Sequence, residues 1–302
     1  MSVQLQIGFL IGLFAFGVLS RRRGWLGPPH AGRMLQLVMT VGLPALFIAN
    51  VSRIPLRAEL VALPLSAIFI MMTTLGAAFL AGRRLGLQRV SMGAFIICGM
   101  SINASFMFPF LLAGWGREAF AQLALFDLGN ALIQSTVLYA AGAIYGGHAV
   151  GGKAILKRVL GFPPLWGLVV ALAINVSGHR LPTVVTDVVG FAGRSILLLS
   201  ILSVGILFDA RLVRSATVFL AAAMRVLLGF ALALLFVTVF DITGMTRAVI
   251  LLSGAAPIGF SVMVIANRES LDRELAASAA SLSALFALAY VPLGLWLLNP
   301  GP

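Results

Sequence analysis

The sequence predicts an all-α integral membrane protein. Its expected plan is ten transmembrane helices in a 5+5 inverted repeat, with crossed, proline-broken helices 4 and 9. Three observations lead there. The 302 residues are 61% hydrophobic and only 10% charged, against about a quarter charged in ordinary soluble domains. The apolar residues fall into ten separate segments. Two of those segments, in matching places in the two halves of the chain, carry a serine and, four residues later, a proline.

Each element follows from length and punctuation. A span needs about 20 mostly apolar residues. The candidates are 3–20, 33–51, 60–82, 91–114, 119–144, 159–178, 187–208, 214–240, 246–267 and 275–298. The first has no basic residue before it and no small-residue cleavage site after it, so it reads as a retained span rather than a signal peptide. The fourth and fifth are separated by "WGRE", residues 115–118, which demands a tight turn. Cys98 has no partner cysteine and sits in an apolar run, so packing is its expected role.

The net charge of +12 would suggest nucleic acid in a soluble chain. Here the arginines cluster between apolar runs, so the expected partner is the lipid bilayer and not nucleic acid. Loops after odd-numbered spans hold Arg21, Arg22, Arg23, Arg33, Arg83, Arg84, Arg89, Lys153, Lys157, Arg158, Arg211, Arg214, Arg268 and Arg273. Loops after even-numbered spans hold Arg53, Arg57, Arg117, Arg180 and Arg247. The richer side is expected to be cytoplasmic. Ten spans then leave both termini outside, on the periplasmic face of a cell (inner) membrane.

The Gly-rich "YGGHAVGGK", residues 145–153, lies mid-chain. It divides a first five-helix repeat, 1–144, from a second, 159–302, with a cytoplasmic linker over 145–158. An odd number of spans per repeat inverts the second relative to the first, the layout of inverted-repeat carriers.

The pairs Ser105/Pro109 and Ser253/Pro257 are offset by the same distance along the chain. Proline has no N–H, so in a helix the carbonyl four residues earlier loses its donor. In lipid such a group needs another partner. The expectation is a break at each proline, with a half-helix starting near it. The exposed N–H groups of such a helix start favour an anion. The freed carbonyls can accept a proton donor or a cation. Asn103, Ser105, Pro109, Ser253, Pro257 and Ser261 are therefore the candidate binding residues. The simpler reading of each proline is a kink, and of Asn103 a hydrogen bond gluing two helices.

"FDLGNALIQS", residues 126–135, adds Asp127, Asn130 and Gln134 at spacings that share one helix face. Asp127 is a carboxylate well inside a span. It can carry a proton with a substrate, or pair with Arg194 or Arg225, the two arginines placed within spans. Those arginines can contact an anion, or snorkel to an interface, which is the expected behaviour of each taken alone. Pro44 and Asn50 fall in the second span, Asn50 near its outer end as a possible cap.

His30, His148 and His179 are expected in loops, without metal-site spacing. No nucleophile with a base is expected at span depth, and no GxxxxGK[ST] occurs. No cofactor, metal or enzyme activity is expected.

With these residues in view, the chain resembles the auxin efflux carrier family, which includes bacterial malate-permease-like members and the plant PIN carriers. The resemblance rests on "GLPALF", on "NASFMFPFLLAGWGREAFAQLALFDLGNAL", on "ILLLSILSVGILFDARL" and on "GAAPIGFSVMVIANRESLDRELAASAASLSALFALAYVPL", in that order along nearly the whole length. It implies a crossover of helices 4 and 9, an elevator-like motion of a transport part against a scaffold, and secondary transport of organic carboxylates. Pro109 and Pro257 match the family's crossover prolines, and Asn103 lies near its asparagine. The family commonly spaces that asparagine seven residues before proline. Here the gap is six, and Phe106 and Phe108 stand where small residues are usual. The central loop is short, and auxin is not the inferred substrate. The expected function is a carrier of a small organic anion, with a proton as one candidate coupling ion. The alternative is a sodium-linked organic-anion symporter of the bile-acid type. A homodimer is compatible with either.

Overall fold

Apolar segments in lipid must satisfy their own backbone groups, which favours helix throughout. A computed structural model describes residues 3–148, 151–179, 181–208 and 215–299. Arg180, Arg211 and Arg214, three of the residues used to orient the chain, lie outside the described residues, as does part of the 145–158 linker. The described residues form helices and no strands. Seven helices among them are long and apolar enough to cross a membrane, or eight if α8 and α9 below count as one. The protein is a multi-pass membrane protein.

The helices are α1 (Val3–Arg22), α2 (Pro28–Leu37), α3 (Leu43–Val51), α4 (Ala62–Arg84), α5 (Arg89–Met100), α6 (Ala104–Ile133), α7 (Tyr139–Gly146), α8 (Gly152–Leu160), α9 (Pro163–Val176), α10 (Thr183–Leu207), α11 (Ala216–Ala223), α12 (Gly229–Val239), α13 (Gly244–Gly254), α14 (Ser261–Arg268) and α15 (Arg273–Leu297). Three π-helical turns, Val38–Gly42, Gln134–Leu138 and Met224–Leu228, join α2 to α3, α6 to α7 and α11 to α12. The first run starts at the Pro28–Pro29 pair, earlier than expected, because proline suits the first helical positions. His30 consequently sits in the first turn of α2 rather than in a loop, and its Nδ1 accepts from the Gly27 N–H at 3.2 Å.

The "WGRE" turn is tighter than a loop. Helical structure resumes across one residue, Gly116, at φ 77° and ψ −157°. Only glycine occupies that region without strain.

The chain divides into two compact units, each drawing on both halves of the sequence. The first comprises Met1–Val61, Ser105–Leu125 and Leu160–Phe208. In it α1 packs on α10, and α3 packs on α9 and α10. A Cβ on Gly17 would collide with the Leu202 carbonyl, and one on Gly205 with the Phe14 carbonyl, so glycine is what permits that crossing. Arg21 closes the end of α10, its Nη1 donating to the carbonyls of Leu207 (3.1 Å) and Phe208 (2.7 Å). Phe108 stacks with Phe120 (4.8 Å) and Phe47 (5.7 Å), and Phe106 with Phe110 (5.0 Å). The two phenylalanines that depart from the resembled pattern are thus core packing.

The second unit comprises Ala62–Ala104, Phe126–Val159 and Asp209–Pro302. In it α5 packs on α4, α7 and α15, and α12 packs on α13 and α4. Gly129 of α6 lies against the backbone of Pro64 in α4, where any side chain would clash. Cys98 is buried in α5 without a disulfide.

Candidate functional site

The second unit contains two interruptions in its helices. Residues 101–103 separate α5 from α6, and residues 255–260 separate α13 from α14. Both expected breaks exist, but the first is not where proline was expected to put it. Pro109 lies inside α6, and the chain unwinds six to eight residues earlier. A proline in the second turn of a helix strips one carbonyl, that of Ser105, without ending the helix. The unwinding instead follows from partners available to residues 101–103. Ser105 and Pro109 belong to the first compact unit.

The backbone N–H of Asn103 donates to the carbonyl of Pro257 at 2.9 Å, joining one break to the other. Gly259 lies against Ser101, where a Cβ would come within 2.7 Å of its Oγ. The Ile102 carbonyl accepts from Gln134 Nε2 at 2.9 Å, with Asn130 Nδ2 at 3.5 Å.

Pro257 lies within the second break. Ser253 was expected to lose the donor for its carbonyl, and it does not. The chain leaves the helix at Ala255, so the Ala256 N–H folds back onto the Ser253 carbonyl at 3.0 Å. The carbonyls of the next four residues take donors from outside the helix. Gly254 receives Arg225 Nη2, and Ala256 receives Arg225 Nε at 3.3 Å. Ala255 receives the Tyr290 hydroxyl at 2.6 Å. Pro257 receives the Asn103 N–H. The Ile258 N–H donates to Ser283 Oγ at 3.0 Å. This is the backbone accounting that a buried, unwound segment requires.

The polar face of α6 is continuous with both breaks. Asp127 accepts from Asn130 Nδ2 at 2.7 Å, and Asn130 Oδ1 accepts from Gln134 Nε2 at 2.9 Å. Gln134 Oε1 accepts from Ser261 Oγ, at the start of α14, at 3.1 Å. Asp127 is 8% exposed, Asn130 2% and Asn103 8%. Gln134 opens one π-turn and Arg225 lies in another. Such turns often accompany functional sites.

Two expectations for the arginines fall here. Arg225 does not snorkel, being 0% exposed with its head group on backbone carbonyls. It does not pair with Asp127 either, whose carboxylate is held by Asn130. Arg194 lies in the first unit. Asn50 is buried, and its side chain donates back to the Leu46 carbonyl at 2.7 Å. Among the described residues no cluster of His, Cys, Asp and Glu could hold a metal. His148 contacts Glu269 at 2.9 Å, away from the breaks.

Tyr290 and Ser283 were not singled out from the sequence. Their available signal was a hydroxyl at span depth in a segment otherwise rich in alanine and leucine.

The profile of a family described as "Membrane transport protein" matches residues 148–296. A protein of Methanothermobacter thermautotrophicus described as an uncharacterized transporter is 25% identical over 298 residues, covering 97% of each chain. An uncharacterized transporter of Methanocaldococcus jannaschii is 24% identical over 300 residues, covering 95% of this chain and 96% of its own. These similarities, to a membrane transport protein family over residues 148–296 and to two transporters over nearly the whole chain, agree with the motif order read above and are those of a membrane transport protein.

Proposed function

We propose that this chain is a secondary carrier that moves a small organic anion, a carboxylate, across the cell membrane, with a proton as coupling ion. In this reading the ten apolar segments are ten spans in two inverted sets of five, with both termini outside. The second compact unit is the transport part and the first the scaffold. The observation that supports the reading most is the junction of the two helix breaks. It brings Asn103, Pro257, Gln134 and Ser261 into one hydrogen-bonded network that reaches Asp127. Broken helices at a repeat interface are where carriers bind substrate, with half-helix N-termini facing the anion. Asn103 and Ser261 stand at two such starts. Asp127, buried on the same network, is assigned the proton.

The test is thermal stabilisation of the purified protein by a panel of carboxylates at two pH values, with and without sodium. A ligand that binds the folded form raises the midpoint by mass action. A carboxylate-specific rise that is larger at the lower pH and disappears in Asn103→Ala supports the reading. Absence of any rise across mono- and dicarboxylates overturns it.

A further inference from the structure

We propose that Arg225 is a resident cation, seated on the carbonyls of the second helix break in place of a dissociable alkali-metal ion. The argument rests on the carrier reading only where transport itself is measured.

An unwound stretch of backbone at membrane depth offers bare carbonyl oxygens. In secondary carriers such oxygens coordinate the coupling cation. At the break at residues 255–260 four successive oxygens, from Gly254 to Pro257, are of this kind, and each of the four has a donor within the protein. Arg225 spans two of them, from Nη2 to Gly254 and from Nε to Ala256. Tyr290 and Asn103 take the two that remain. A planar fork of fixed donors can bridge carbonyls two residues apart, and a guanidinium keeps its charge at any physiological pH.

Among the described residues the charge also has no counter-ion. Among the described residues no carboxylate lies within ion-pair distance of Arg225. Its Nη1 is buried and has no hydrogen-bond partner among them. A buried positive charge bound only to neutral dipoles is costly unless something negative completes it. A tethered cation at the break therefore does two things. It removes the need for sodium there, and it leaves a positive site that a negatively charged substrate completes. The packing holds the arrangement in place, because Gly229 brings α12 directly against both the Gly254 carbonyl and the Arg225 guanidinium.

The test uses the full-length purified protein and needs no substrate for its first arm. Melting midpoints are measured for wild type, Arg225→Ala and Arg225→Lys in sodium or N-methylglucamine salts, with and without methylguanidinium. The wild-type midpoint is expected to be the same in both salts. Arg225→Ala is expected to melt several degrees lower and to be restored by methylguanidinium, which leaves wild type unmoved. Arg225→Lys keeps the charge but cannot bridge both carbonyls, so it is expected to melt between the two. It also serves as the variant should the alanine protein not fold. A sodium-dependent rise in wild type overturns the proposal. So does an Arg225→Ala or Arg225→Lys protein that melts like wild type, or a methylguanidinium effect equal in wild type and Arg225→Ala. In the second arm, carboxylate uptake into proteoliposomes is expected to persist when sodium is replaced, and sodium-dependent uptake overturns the proposal. If no carboxylate binds or moves, the carrier reading fails, and the melting arm still decides the role of Arg225.

Discussion

The Asn103 N–H and the Pro257 carbonyl, 2.9 Å apart, are each the group that its own helix break leaves over. Each interruption supplies what the other lacks. An orphaned backbone group costs far more in lipid than in water, because no solvent replaces the lost partner. The two breaks are therefore coupled energetically, and a change that repairs or removes one is felt at the other.

This coupling separates backbone from side chain at position 103. Asn103→Pro deletes the N–H and leaves the Pro257 carbonyl without its donor, at a cost of about 1–3 kcal/mol. Asn103→Ala keeps the backbone bond, so its melting midpoint is expected to stay well above that of the proline variant. Carboxylate binding is expected to fail in both. A paired measurement of midpoint and ligand-induced shift checks this. If Asn103→Ala binds carboxylates as wild type does, its amide is not part of the site.

Asp127→Asn tests the proton. If Asp127 takes up a proton together with the substrate, wild-type binding strengthens as pH falls, by at most about tenfold per pH unit for one proton. Asparagine imitates the protonated acid and can still accept from Asn130 through its amide oxygen. The variant is expected to bind at both low and high pH with a flat profile. Titration of affinity against pH, by calorimetry, reads the slope directly, and an unchanged slope in the variant assigns the proton elsewhere.

The sequence located the right helices and the wrong residue in one of them. Bilayer thickness imposes the length of an apolar segment, so the all-helical, multi-pass plan could be read directly, although among the described residues seven or eight helices, not ten, are long and apolar enough to cross a membrane. The 127/130/134 spacing could be read because helical period alone puts those side chains in line. A proline tells where a helix must lose one bond, but not where the chain will unwind. Pro257 lies in its break and Pro109 does not. The unwound site at 101–103 is chosen by acceptors and donors far along the chain, Pro257 and Gln134. Arg225 was misread as a snorkelling residue for the same reason. Its partners are backbone carbonyls, and these carry no mark in a sequence.

The hydroxyl of Tyr290 serves the Ala255 carbonyl, and that of Ser283 serves the Ile258 N–H. Tyr290→Phe and Ser283→Ala each remove one such bond with little change in shape. Each is expected to destabilise by about 1 kcal/mol, the scale of single polar contacts within membrane proteins. Because both act on one short unwound segment, the double variant is expected to depart from the sum of the singles. A double-mutant cycle on denaturation midpoints measures that coupling, and strict additivity means that the segment does not behave as a unit.

Two glycines of the second unit make a matched pair of opposite sign. A Cβ on Gly229 would meet the Gly254 carbonyl and the Arg225 head group, whereas one on Gly76, within α4, meets nothing within 4 Å. Gly76→Ala is expected to leave stability unchanged or raise it by up to about 1 kcal/mol, through helix propensity alone. Gly229→Ala forces α12 away from the second break, with an overpacking cost of about 1–3 kcal/mol. It is also expected to weaken carboxylate binding, since the guanidinium moves with the helix. Comparing the two variants by melting and by ligand-induced shift separates a general intolerance of alanine from this contact. If Gly229→Ala melts like Gly76→Ala, α12 does not hold Arg225 against the break, and the close approach that the carbonyl accounting depends on is wrong.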